Sequence, residues 1–167
     1  MIFTLIGMPA SGKSCMGKAI SSKLKMRLVD GDRLIEARYG KKLQEIIDEE
    51  GLDAFKKIEE ETLLSIEDDN IILAPGGSAV YYDSVMQKCK ERGKVVYIYV
   101  SYPIIKERLG DYSKRGVVLK PGQTLADLYD ERTKLYEKYA DITINCNGRA
   151  YSKYRQELIE KIKECLK

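Results

Sequence analysis

Gly7-Met8-Pro9-Ala10-Ser11-Gly12-Lys13-Ser14 is a complete G-x-x-x-x-G-K-[ST] phosphate-binding loop, and its two flanks decide the fold. The apolar run Ile2-Phe3-Thr4-Leu5-Ile6 precedes it as a buried strand, and Lys13–Leu24 follows with helical character. Such a loop works only as a strand-to-helix turn, where successive backbone N–H groups and the helix N-terminus converge on phosphate oxygens. Gly7, Pro9, Ala10, Ser11, Gly12, Lys13, Ser14 and Cys15 are therefore expected around the phosphates. Lys13 would reach the β- and γ-phosphates as a catalytic cation, and the Ser14 hydroxyl would sit on Mg2+. The chain is expected to bind a nucleoside triphosphate.

Working outward from the loop, short apolar runs alternate with longer helical patterns. The spacing predicts strands at Ile2–Ile6, Arg27–Val29, Ile71–Ala74, Val95–Val100 and Ile142–Asn145. Helices are predicted at Lys13–Leu24, Arg33–Tyr39, Leu43–Glu50, Ala54–Glu67, Ser84–Arg92, Pro103–Leu109, Leu125–Tyr139 and Tyr151–Leu166. Alternation of this kind implies right-handed crossovers and a parallel sheet with helices on both faces, an α/β architecture. Ligands of such sheets bind beyond the C-terminal ends of the strands. At 167 residues the chain fits one domain, residues 1–167. Within it, residues 111–123 lack periodicity and are long for a connection, so they are expected to form a lid.

Composition removes several function classes. The 29 Lys+Arg and 26 Asp+Glu leave a net charge of +3, too little to argue for a nucleic-acid or membrane partner. No apolar run approaches the ~20 residues that span a bilayer. A strand and phosphate loop stand where a signal peptide would, so a cytoplasmic monomer is expected, with thiols reduced and mostly buried. The chain has no histidine, which rules out a Ser-His-Asp triad, a Cys-His pair and an H-E-x-x-H zinc site. A general base must then be a carboxylate, lysine, tyrosine or thiol.

Three further constellations carry chemistry. Asp30-Gly31-Asp32 ends the second strand, where Asp30 could hold Mg2+ directly or through water and Asp32 could take the proton of an attacking hydroxyl. The bland alternative is a turn in which Asp32 caps the following helix. Pro75-Gly76-Gly77-Ser78 follows the third strand, and its paired glycines allow backbone to approach a ligand closely. Arg132 lies within the apolar stripe Leu125, Leu128, Tyr129, Leu135, Tyr136 and Tyr139. An inward arginine needs a partner, either a structural carboxylate such as Asp30 or Asp32 or an anionic ligand. Lys56 beside Phe55 reads more simply as a snorkelling surface lysine. The third strand, Ile71–Ala74, does not end in a Walker B aspartate and no N-K-x-D signature occurs, which weighs against motors and GTPase switches.

In order along the chain, these residues resemble shikimate kinase. The match runs through the phosphate loop, Asp30-x-Asp32-x-x-Ile35-Glu36-x-x-x-Gly40, Gly51-x-x-x-Phe55-Lys56-x-x-Glu59 and Gly76-Gly77. It continues with Gly93-Lys94-Val95-Val96-Tyr97, Arg115 and Arg132-x-x-x-Tyr136 with Ala140. The resemblance implies a P-loop, nucleoside-monophosphate-kinase-like fold with strand order 2-3-1-4-5. It also implies Mg2+-dependent transfer from ATP to the hydroxyl of a small carboxylate-bearing metabolite, with shikimate the leading acceptor. By position, Asp32, Gly77 and Arg132 match residues that grip shikimate, with Gly76 beside them. Arg108 matches the arginine that stacks on adenine, Asn147 falls in the adenine loop, and Arg115 matches the lid arginine that reaches the phosphates. Three positions depart from the pattern. Lys56 stands where the family has a second carboxylate-binding arginine, Ser78 replaces the third glycine of a triplet, and the lid reads Arg115-Gly116-Val117-Val118. Kinases for gluconate-like acceptors or nucleoside monophosphates, and a non-catalytic nucleotide-binding regulator, remain the rival readings.

Overall fold

The structure, a computed structural model, describes residues 1–112, 117 and 119–167. Five parallel strands form one sheet in the order β2-β3-β1-β4-β5, as the resemblance implies. They are β1 (Ile2–Ile6), β2 (Arg27–Asp30), β3 (Ile71–Ala74), β4 (Gly93–Tyr99) and β5 (Ile142–Asn145). Every residue of β1 is buried, because helices cover both faces of a central parallel strand. The edge strands β2 and β5 each bury a single residue, Val29 and Ile144. The helices among the described residues are α1 (Lys13–Leu24), α2 (Gly31–Tyr39), α3 (Leu43–Glu50), α4 (Leu52–Leu64), α5 (Asp83–Arg92), α6 (Tyr102–Leu109), α7 (Leu125–Tyr139) and α8 (Tyr151–Cys165). None is long and apolar enough to cross a membrane.

Several boundaries differ from the sequence reading, each for a local reason. β4 begins at Gly93, immediately after α5 ends, with no loop between them. A glycine after a helix reads as a stop signal, but here its extended backbone (φ 177°) opens the strand. Its bare Cα is required there, since an added Cβ would stand 1.7 Å from the Ile2 carbonyl oxygen on β1. α4 stops at Leu64 rather than Glu67, because the Ser65 hydroxyl donates to the Thr62 carbonyl (2.7 Å) and the Ser65 N–H is shared among the last carbonyls. α2 starts at Gly31, two residues early, and its cap is Asp30 and not Asp32: the Asp30 carboxylate accepts from the Arg33 N–H at 3.2 Å. The thiols are less buried than expected, with Cys89 and Cys146 inside, Cys165 half-buried and Cys15 exposed.

α7 is the element that carries charge into the core. Thr124 and Asp127 close its N-terminus reciprocally: the Asp127 N–H donates to Thr124 Oγ1 (3.1 Å) and the Thr124 N–H to the Asp127 carboxylate (3.0 Å). That cap fixes the rotation of the helix. Leu125, Leu128, Tyr129, Tyr136 and Tyr139 then face inward, and Arg132 goes in with them.

Candidate active site

The phosphate loop is shaped by backbone that only small residues tolerate. Gly7 sits at φ +150°, and a Cβ there would press to 2.8 Å on the Ile98 carbonyl of the neighbouring strand. Gly12, at φ +94°, is the left-handed residue that starts α1, and Ala10 holds φ 62° between them. The Ser11 N–H closes the loop on the Met8 carbonyl at 3.1 Å. Lys13 folds back over it, donating its ammonium to the carbonyls of Gly7 and Met8, both at 2.7 Å. The residue is half-buried along its length, but its Nζ lies deep. Burial, and then the charge of Arg132, lower its pKa to about 7, while Asp32 opposes the fall. Ser14 and Cys15 are exposed in the first turn of α1.

Across the sheet edge, β2 delivers the carboxylates. With Asp30 engaged as the cap, Asp32 enters the first turn of α2. Gly31 between them is a packing requirement, because a Cβ would meet the Pro75 carbonyl at 2.8 Å. Burial, together with Asp30, Glu59 and Glu36, raises the pKa of Asp32 to about 6, against the pull of Lys13. Ser14 and Asp30 line one cavity of about 300 Å3. They offer a hydroxyl and a carboxylate oxygen, and no cluster of three metal-ligating side chains exists among the described residues.

The glycine turn after β3 forms the floor between these groups. Gly76 has φ +102°, and a Cβ on it would stand 3.1 Å from Asp32 Oδ1. A Cβ on Gly77 would stand 2.9 Å from Arg132 Nη1. The two glycines therefore let the backbone pass between a carboxylate and a guanidinium. Arg132 is 7% exposed, its guanidinium lies 5.5 Å from the Tyr81 ring centroid, and its Nε has no hydrogen-bond partner. No carboxylate pairs with it within 4.0 Å among the described residues, so neither Asp30 nor Asp32 is its structural partner.

The remaining expected positions are less central. Arg108 is exposed at the end of α6 and donates to the Ala10 carbonyl (3.1 Å), which places it beside the phosphate loop. The Asn147 side chain accepts from the Ser101 N–H at 2.8 Å, tying the loop after β5 to the end of β4. Lys56 is exposed on α4 and makes no ion pair or hydrogen bond among the described residues, in keeping with the snorkelling alternative. Arg115 lies outside the described residues.

Glu59 is the site group that residue-by-residue reading passed over. It is 2% exposed, its Oε1 accepts from Ser78 (2.6 Å) and Tyr82 (2.8 Å), and its Oε2 would lie 3.8 Å from a Cβ on Gly76. The signal was present, since Glu59 stands one turn after Phe55 on the stripe that includes Ile58 and Thr62. Burial pushes its pKa up, against the two donors and Arg132.

Known proteins resemble this chain over nearly their whole length. The family model described as shikimate kinase matches residues 9–165. A shikimate kinase of Bacillus anthracis is 35% identical over 161 residues, spanning 96% of this chain and 97% of that protein. Among solved structures, shikimate kinase from Acinetobacter baumannii in complex with shikimate superposes with a TM-score of 0.85 at 28% identity, covering 98% of this chain and 93% of that one. Shikimate kinase from Aquifex aeolicus gives a TM-score of 0.82 at 29% identity, covering 99% and 96%.

Proposed function

The chain belongs to the shikimate kinase family and is an ATP-dependent phosphotransferase acting on an alcohol, and we propose that its acceptor is shikimate, converted to 3-phosphoshikimate. The observation that carries this reading is Arg132. A guanidinium so buried, with no carboxylate within 4.0 Å among the described residues and a glycine floor against it, suits the carboxylate of a ligand. Asp32, on the other side of that floor, suits a ligand hydroxyl. An acceptor carrying both groups on a small ring spans the two.

Each side chain then has a part in transfer. Lys13 leaves the loop carbonyls for the β- and γ-phosphates and stabilises the charge that develops there. Asp32 orients the attacking hydroxyl and takes its proton, a role for which a raised pKa makes it a better base than an ordinary surface aspartate. Ser14 and Asp30 would hold Mg2+, which neutralises phosphate charge when bound. Two oxygen donors fit an ion that keeps several waters and completes its shell with substrate phosphates. Gly7, Pro9, Ala10, Ser11, Gly12 and Cys15 surround the phosphates, Arg108 and Asn147 flank the adenine, and the resemblance gives Arg115, outside the described residues, to the phosphates. Gly76 and Gly77 present backbone to the acceptor, and Lys56 adds at most long-range charge.

ADP release from ATP and Mg2+ tests the reading across shikimate, quinate, gluconate, homoserine and nucleoside monophosphates. Shikimate is expected to give saturable turnover far above the rest. Turnover with another acceptor and none with shikimate would overturn the assignment.

A further inference from the structure

Of the three departures from the family pattern, Ser78 reaches a buried carboxylate and Lys56 does not. Lys56 stands three residues before Glu59 on α4, yet its side chain is exposed and pairs with nothing among the described residues. Ser78, where a third glycine would have offered no side chain, donates its hydroxyl to Glu59 Oε1 at 2.6 Å. Tyr82, at the end of the same turn, donates to that oxygen at 2.8 Å. Oε1 is thus fully engaged and Oε2 is left toward Gly76, next to the approach of Asp32 Oδ1.

We propose that Ser78 is a positioning residue for acceptor binding, which holds the buried Glu59 carboxylate with its Oε2 turned toward the glycine floor. The proposal rests on the acceptor lying over Gly76 and Gly77, as in the function given above. A buried carboxylate with only one donor would readily take a proton, because burial favours its neutral form. Its negative charge would then no longer act across the floor on Arg132. The groups that face Glu59 come from three places: Asp32 on α2, Ser78 and Tyr82 on the turn, and Arg132 on α7. Asp32 feels the charge of Glu59 directly, so the hydroxyl of Ser78 reaches the base and the guanidinium through one intermediary.

Ser78→Ala removes the donor and keeps the backbone, which is unstrained there (φ −91°, ψ −6°). Its KM for shikimate is expected to rise about 10-fold, the size of a hydrogen bond to a charged group, while kcat and the KM for ATP stay within about 2-fold. Ser78→Thr, which keeps the hydroxyl, should recover the acceptor KM. Tyr82→Phe removes the other donor and should act in the same direction. Independently of any acceptor, 13C NMR titration of Glu59 in the free protein should show its pKa raised in Ser78→Ala. If the unaltered enzyme does not use shikimate, the proposed function fails, and the NMR titration still decides the hold on Glu59. A Glu59 titration unmoved in Ser78→Ala overturns the proposal. So does a wild-type shikimate KM in that variant, or a Ser78→Thr enzyme as impaired as Ser78→Ala.

Discussion

At the scale of single residues, the site holds a carboxylate and an ammonium whose titrations approach each other across neutrality. Burial and neighbouring carboxylates raise Asp32 to about 6, so it becomes the competent base only as the pH rises through that value. Burial and Arg132 lower Lys13 to about 7, so the cation that grips phosphate is lost as the pH rises further. The free enzyme should therefore show a narrow, bell-shaped kcat/KM for ATP, with limbs near those two values. Bound phosphate favours the charged lysine, so kcat at saturation should keep its activity further into the alkaline range. Initial rates across pH 5–9 check both statements, and equal alkaline limbs in kcat and kcat/KM would count against them. Asp32→Asn should slow transfer about 10²-fold or more while nucleotide binding, followed by fluorescence or calorimetry, persists.

At the scale of elements, what matters is how closely backbone approaches its neighbours. Gly77→Ala would put a Cβ 2.9 Å from Arg132 Nη1. The guanidinium can swing aside, so this variant should fold normally yet show a clearly raised acceptor KM and an unaltered KM for ATP. Gly93→Ala meets β1 backbone instead, at 1.7 Å from the Ile2 carbonyl oxygen, and no side chain can yield. It should lose about 3 kcal/mol or more in urea unfolding, the upper end for overpacked cores, with its m-value unchanged. These elements also show which features the sequence made legible. The phosphate loop, the inward Arg132 and nearly all strand positions follow from local pattern, since periodicity and motif spacing are short-range signals. Periodicity started β4 at Val95 rather than Gly93, because the use of Gly93 as strand backbone depends on β1, a partner 91 residues away. The place of Glu59 in the site did not follow from its motif, because its donors come from the turn after β3 and its neighbours from α2 and α7. Asp30 rather than Asp32 caps α2 because the helix begins at Gly31, two residues before the pattern placed it.

For the whole molecule, a buried guanidinium with an unsatisfied Nε sets function against stability. Taking Arg132 out of water costs free energy that no ion pair among the described residues returns, so its burial on α7 makes sense once a ligand carboxylate arrives. Arg132→Met fills much of the same volume without charge. It should raise the stability of the free protein by about 1 kcal/mol or more, read from the urea midpoint, although the contact with Tyr81 is lost. The gain has a definite pH dependence. Without the guanidinium, the pKa of Glu59 rises further, because Arg132 is one of the groups that hold it down. A carboxyl whose folded pKa is raised favours folding below its unfolded pKa, and that contribution is lost as the pH climbs through the folded value. The stabilisation by Arg132→Met should thus be largest in mild acid and shrink toward neutrality. The same variant should lose at least 30-fold in kcat/KM for shikimate, since truncating one partner of a buried charge pair removes roughly 2–5 kcal/mol. Shikimate should then add nothing to its thermal stability, whereas at 100 times its Kd it should add about 2.7 kcal/mol to the unaltered protein. A destabilised Arg132→Met with intact acceptor kinetics would show instead that the arginine is a structural member of the core.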